Sequence, residues 1–149
     1  MLEPAVKALK YGSVRTLATP LGRRLGEAVQ AQGWRPDLVV PVPLHPARLR
    51  DRGFNQAELL ARQVAQVLAR PLEKPLQRVR ETPSQTRLSG QRRIANVQGA
   101  FQCSRLLTGA VLLVDDVTTT GATAHACARA LLAAGARQVQ LAVLCRARP

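Results

Sequence analysis

Residues 111–123 read VLLVDDVTTTGAT: four apolar residues, two adjacent aspartates, then hydroxyls around one glycine. A continuous apolar run bounded by a polar turn is the mark of a strand buried on both faces, as in a parallel sheet. The chain holds only 9 acidic residues among 149, against 22 Lys and Arg, so two carboxylates side by side at such a strand's end need a reason. Either they are ordinary solvated residues where the strand emerges, or they face a ligand.

The segments around this run predict its setting. Downstream, Ala124, Cys127, Leu131 and Ala134 make a narrow apolar stripe for a helix over 121–134, with Gly135 as its stop, and a strand follows over 139–144. Upstream, DLVVPV at 37–42 reads as a strand with Pro41 and Pro43 at its exit, and LHPARLRDRGFN after it reads as a loop. Asn55 followed by Glu58 is a variant capping box for a helix whose face is Ala57, Leu60, Ala61, Val64, Val67 and Leu68. A weaker strand is expected over 76–80. Two short helices open the chain, one through Leu2, Val6 and Leu9, the other from Pro20 to a stop at Gly33. The polar stretch that follows residue 80 has no apolar period and is long for a loop, so 82–96 is expected to be a mobile functional flap, with a short helix over 91–96. Strand, helix, strand in succession predicts one α/β domain over 1–149: a central, mostly parallel sheet flanked by helices on both faces.

Composition narrows the partners. At 46% hydrophobic residues the chain can build a core, and no run approaches the ~18 apolar residues of a spanning helix. The first residues, MLEPAVKALKYG, carry charges where a signal peptide needs an apolar block, so a cytoplasmic protein without a membrane span is expected. Net charge is +13, and with only Lys7, Lys10 and Lys74 as lysines, 19 of the 22 basic residues are arginine, the side chain suited to forked contact with phosphate. A polyanion or phosphorylated metabolite is the expected partner. Tyr11, Trp34, Phe54 and Phe101 are too few and scattered to stack a single strand's bases. Cys103, Cys127 and Cys145 form no C-x-x-C pair, and His45 and His125 stand alone, so the cysteines read as reduced thiols and no zinc site is expected.

Ligands of open parallel sheets gather at the strands' carboxyl ends, where Asp115, Asp116 and the following loop must lie. A loop entering a helix N-terminus offers backbone N–H groups and a positive dipole end to a phosphate; Gly121 lets the chain approach, and threonine hydroxyls add donors. Carboxylates repel phosphate, so the acids should face another part of the ligand. Vicinal hydroxyls can donate to them, and a ribose 5-phosphate satisfies both halves. The common nucleotide motifs, G-x-x-x-x-G-K-[ST] and a G-x-G-x-x-G after a strand, are absent.

The run VLLVDDVTTTGAT resembles the phosphoribosyl pyrophosphate (PRPP) motif of the type I phosphoribosyltransferases. LKYG at 9–12, VVPVPLHPARLRDRGFNQAELLA at 39–61, RETPSQT at 80–86 and RRIANVQGAF at 92–101 are similar to the ComF competence branch of that superfamily, over residues 5–147 in all. The resemblance implies a type I phosphoribosyltransferase-like fold. It assigns Asp115 and Asp116 to the ribose hydroxyls, and Thr118, Thr119, Thr120, Gly121, Ala122 and Thr123 to the 5-phosphate. Pro43, Leu44 and His45 correspond to the pyrophosphate loop, with Arg48, Arg50, Arg52, Asn55 and Gln56 beside it, and Gln85, Arg87, Arg92, Arg93 and Asn96 lie on the flap over the leaving group. The implied reaction displaces pyrophosphate from PRPP by a nitrogen nucleophile, with Mg²⁺ bound alongside PRPP. The implied alternatives are a non-catalytic competence factor aiding uptake of single-stranded DNA through the strand or competence proteins, and a sensor of PRPP or a nucleotide; a homodimer is compatible with each. Many ComF-type chains carry a cysteine-rich, zinc-binding segment ahead of the LKYG region. This sequence has no cysteine before Cys103, so that segment is expected to be lacking.

Overall fold

The computed structural model describes residues 15–80 and 99–148. The helix expected through Leu2, Val6 and Leu9, the flap at 82–96 and its short helix lie outside these residues. In chain order the elements are α1 (Ala18–Ala31), β1 (Leu38–Pro41), α2 (Pro46–Arg52), α3 (Gln56–Leu68), β2 (Leu76–Arg78), β3 (Phe101–Cys103), β4 (Ala110–Thr118), α4 (Ala122–Ala133) and β5 (Gln138–Arg146).

The sheet grows around β4. It pairs in parallel with β1 on one side, Leu38 opposite Val111 through Pro41 opposite Val114, and with β5 on the other, Ala110 opposite Gln138 through Thr118 opposite Arg146. Beyond β1 a single parallel bridge, Val39 to Leu72, adds the start of a further strand. Alternation sends Val111 and Leu113 into a core with Leu38, Val40, Cys127 and Leu131, and Leu112 and Val114 into a second core with Val39, Leu60, Ala61 and Val64. α4 therefore covers one face and α1 with α3 the other, the two-sided architecture expected of the strand–helix–strand pattern. Residues 111–114 are all 0% exposed, and each such side chain stabilises the fold by roughly 1.5–3 kcal/mol.

α1 lies unusually close to α3. A Cβ added at Gly22 would stand 2.6 Å from Gln63 Cβ, and one at Gly26 would stand 2.9 Å from Val67 Cβ, so this face of α1 accepts nothing larger than glycine without movement. α4 ends as expected, with Gly135 at φ +110° and the N–H groups of Gly135 and Ala136 bonded back to the carbonyls of Leu132 and Leu131. α1 likewise stops at Gly33, whose φ is +72°.

Four expectations need correction. The central strand does not stop at Val114 but runs on through both aspartates to Thr118, because β5 continues to pair with it. The stretch after β1 is not all loop: Pro46 at a first helical position, a side-chain cap from His45 and a left-handed Gly53 define the seven-residue α2. The strand near residue 76 is shorter than expected and pairs antiparallel with β3, which the sequence did not reveal, in a separate two-stranded ribbon. Asn55 caps α3 by accepting from Ala57 N at 3.0 Å, but Glu58 serves Arg62 and Lys74. Burial pushes the Glu58 carboxyl up, and the hydrogen bonds from Arg62 and Lys74 outweigh it and hold the carboxyl below its ordinary range.

Candidate functional site

β1 and β4 deliver their carboxyl ends side by side. Val42 N donates to Val114 O at 2.9 Å, so Pro43, Leu44 and His45 leave β1 directly beside Asp115 and Asp116. His45 is used structurally: its Nδ1 accepts from Ala47 N at 3.2 Å and caps α2. Asn55 holds the far end of this excursion, donating through Nδ2 to Val42 O at 3.0 Å while capping α3. Arg15 lies over the Phe54 ring at 5.2 Å from its centroid and donates to Gly53 O, tying the turn before α1 to the same loop. Arg48 and Arg52 of α2 are half-buried, and Arg50 is exposed.

Because β4 continues through them, the adjacent aspartates face opposite sides of the sheet. Asp116 follows Leu112 and Val114 toward α3 and is only 4% exposed; its Oδ2 accepts from Gln56 Nε2 at 3.3 Å. Gln56, itself 5% exposed, accepts in turn from Arg52 Nη1 at 3.0 Å. A continuous chain of donors thus runs from the basic α2 to a buried carboxylate of the central strand. Asp115 follows Val111 and Leu113 toward α4 and is half-buried, with Oδ1 accepting from Asp116 N at 2.9 Å. Its charge is felt by Cys127: burial pushes that thiol far above its ordinary range, Asp115 pushes it further, and Arg78 opposes both. Arg78 is buried on β2 with its guanidinium 5.2 Å from the Phe101 ring centroid.

The turn after β4 is short. Thr118 closes the strand, Thr119 and Thr120 bend, and Gly121 takes a left-handed φ of +80° as the N-cap of α4. Thr120 Oγ1 accepts from Ala122 N at 3.3 Å, and His125 N makes a helix bond to Gly121 O. Thr123 belongs to the same first turn of α4. Ala122 is buried, whereas Thr118, Thr119, Thr120, Gly121 and Thr123 are half-buried around the turn.

The fold brings together Pro43, Leu44, His45, Arg52, Asp115, Asp116 and the turn from Thr118 to Thr123 at one edge of the sheet. Gln85, Arg87, Arg92, Arg93 and Asn96 lie outside the described residues. Sequence reasoning set Gln56 beside the basic cluster without a role, and it passed over Arg78. No local signal marks either one, since the Gln56–Asp116 hydrogen bond spans 60 residues of sequence.

A profile of the phosphoribosyl transferase domain matches residues 54–149, which include the acidic pair and its loop. The chain belongs to the phosphoribosyl transferase domain family. Within that family it is ComF-like. The DNA utilization protein YhgH of Salmonella typhimurium is 37% identical over 148 residues, 95% of this chain and 65% of the relative. Competence protein F of Haemophilus influenzae is 35% identical over 139 residues, 89% of this chain and 61% of the relative. Competence protein ComFC of Bacillus subtilis is 36% identical over 98 residues, 66% of this chain and 39% of the relative. The chain thus spans about 65% of the length of the Salmonella relative. Among its described residues no helix is long and apolar enough to cross a membrane.

Proposed function

We propose that the domain binds PRPP, or a ribose 5-phosphate nucleotide, at the carboxyl edge of β4 and transfers the 5-phosphoribosyl group to a nitrogen nucleophile with release of pyrophosphate. The observation that carries this reading is the succession, along one strand and its turn, of two carboxylates and a left-handed glycine entering a helix N-terminus. Carboxylates suit ribose hydroxyls and helix N–H groups suit the 5-phosphate. The arginines of α2 would neutralise the negative charge that gathers on departing pyrophosphate, and electrostatic stabilisation of that charge is what such a displacement requires. Among the described residues no group of three or more His, Cys, Asp or Glu could cage a metal. Mg²⁺ needs no such cage if it arrives on the phosphates, because it keeps waters and substrate oxygens as ligands. Bound so, it would neutralise the leaving pyrophosphate.

Thermal unfolding with PRPP and Mg²⁺ tests the reading. At ~100 times its dissociation constant the ligand should add about 2.7 kcal/mol of stability. No shift at millimolar PRPP refutes it. The second reading, a non-catalytic competence factor, is favoured by the names of relatives, DNA utilization protein and competence protein, together with the net charge of +13. A shift produced by oligonucleotide and not by PRPP would establish that reading in place of the first.

A further inference from the structure

The donor chain from Arg52 through Gln56 to Asp116 joins the two halves of the proposed site, and its middle member lies in the ComF-like stretch 39–61 without an assigned role. Arg52 can only donate and a carboxylate can only accept, so the Gln56 amide is oriented without ambiguity, Oε1 toward Arg52 at 3.0 Å and Nε2 toward Asp116 at 3.3 Å. An amide accepts at one end while donating at the other. Glutamate would set a second carboxylate against Asp116, and an apolar side chain would leave Asp116 buried without this donor, which is costly for a charged group.

We propose that Gln56 is a positioning residue: it holds Oδ2 of Asp116 and so presents the other carboxylate oxygen to the ribose of a ligand, while fastening that acid to the arginine of the pyrophosphate-side helix. This rests on the proposed phosphoribosyl reading and deepens it. Asp116 and Gln56 are 4% and 5% exposed, so the contact between them is packed in place and is not a mobile surface pair. Gln56 is also the first residue of α3, whose entry Asn55 pins to Val42 at the exit of β1, so the amide has a rigid base.

The test compares ribose 5-phosphate with inorganic phosphate, both titrated into the chain by calorimetry, since only the first ligand has hydroxyls for Asp116. Gln56→Met keeps length and burial but removes both hydrogen bonds; Gln56→Glu keeps the acceptor for Arg52 and serves as the second variant should the first fail to fold. Each should weaken ribose 5-phosphate about tenfold, the ratio that 1.4 kcal/mol represents, while phosphate affinity stays within about twofold. In an Asp116→Asn background Gln56→Met should cost much less, because the charge it steadies is gone. Unchanged ribose 5-phosphate affinity in both variants overturns the proposal. So does equal weakening of both ligands, which marks a general loosening, or a full effect that persists beside Asp116→Asn. If the unaltered chain binds phosphate but gains nothing from the ribose, the phosphoribosyl reading itself falls and takes this inference with it.

Discussion

Asp115 and Asp116 differ more than their adjacency suggests. Asp116 is enclosed under α3 and Asp115 is half-buried under α4, so the same substitution should act differently at each. Asp115→Asn should lower PRPP affinity tenfold or more while shifting the melting temperature little, since hydrogen bonds to charged groups contribute about 1.5–3 kcal/mol. Asp116→Asn should lower affinity comparably and also perturb stability through Gln56; titration beside a thermal melt separates the two. Cys127 offers a second check at this scale. Its thiol is 0% exposed and held far above its ordinary range by burial and by Asp115, so at pH 8 an alkylating reagent should modify the half-exposed Cys103 and Cys145 and spare Cys127 until the chain unfolds. With the folded value raised, the associated stability is complete below the ordinary thiol range and declines as pH rises above it. The position of the acids was legible in the sequence. Their opposite orientation was not, because it depends on β4 pairing with β5 beyond Val114, which no local pattern announces.

Elements were readable where their signals were local. Apolar period, Gly33 and Gly135 place α1 and α4, and Asn55 places α3, whereas α2 was hidden because a seven-residue helix carries too few turns for a period to show. The ribbon of β2 and β3 was hidden too, since three-residue strands have almost no pattern and their partners lie far apart in sequence. The spacing Gly22-x-x-x-Gly26 did carry information, and only the packed helices show what it means. Gly26→Ala would drive a methyl to within 2.9 Å of Val67 Cβ and 3.2 Å of Val64 Cα, against backbone that cannot turn aside. Overpacking of this kind costs about 1–3 kcal/mol, and Gly26→Leu should cost more; urea denaturation at neutral pH reads both. An exposed helix position would answer oppositely, since alanine there stabilises a helix relative to glycine.

For the whole molecule the dominant property is charge. With +13 and 19 arginines among its 22 basic residues, and lysine only at Lys7, Lys10 and Lys74, the chain should attract any polyanion. Binding to single-stranded DNA is expected to be weak, indifferent to sequence and steeply salt-dependent. Neutralising Arg48, Arg50 and Arg52 should reduce DNA and PRPP affinity together and lower the salt slope by about 0.7 for each DNA phosphate that no longer meets an arginine. A salt-resistant complex that survives this change would put the nucleic-acid surface elsewhere. Fold class and architecture followed from alternating strands and helices, because a buried strand must be covered twice; the meeting of α2, α3 and β4 at one edge is a product of packing across the chain and left no local trace. The opposed acids have a consequence for assembly. Each faces a different core, one closed by α4 and the other by α1 and α3, so a chain that has docked only one layer displays only one acid correctly. A ligand that needs both would proofread folding, gripping only molecules in which the two halves of the interior have closed.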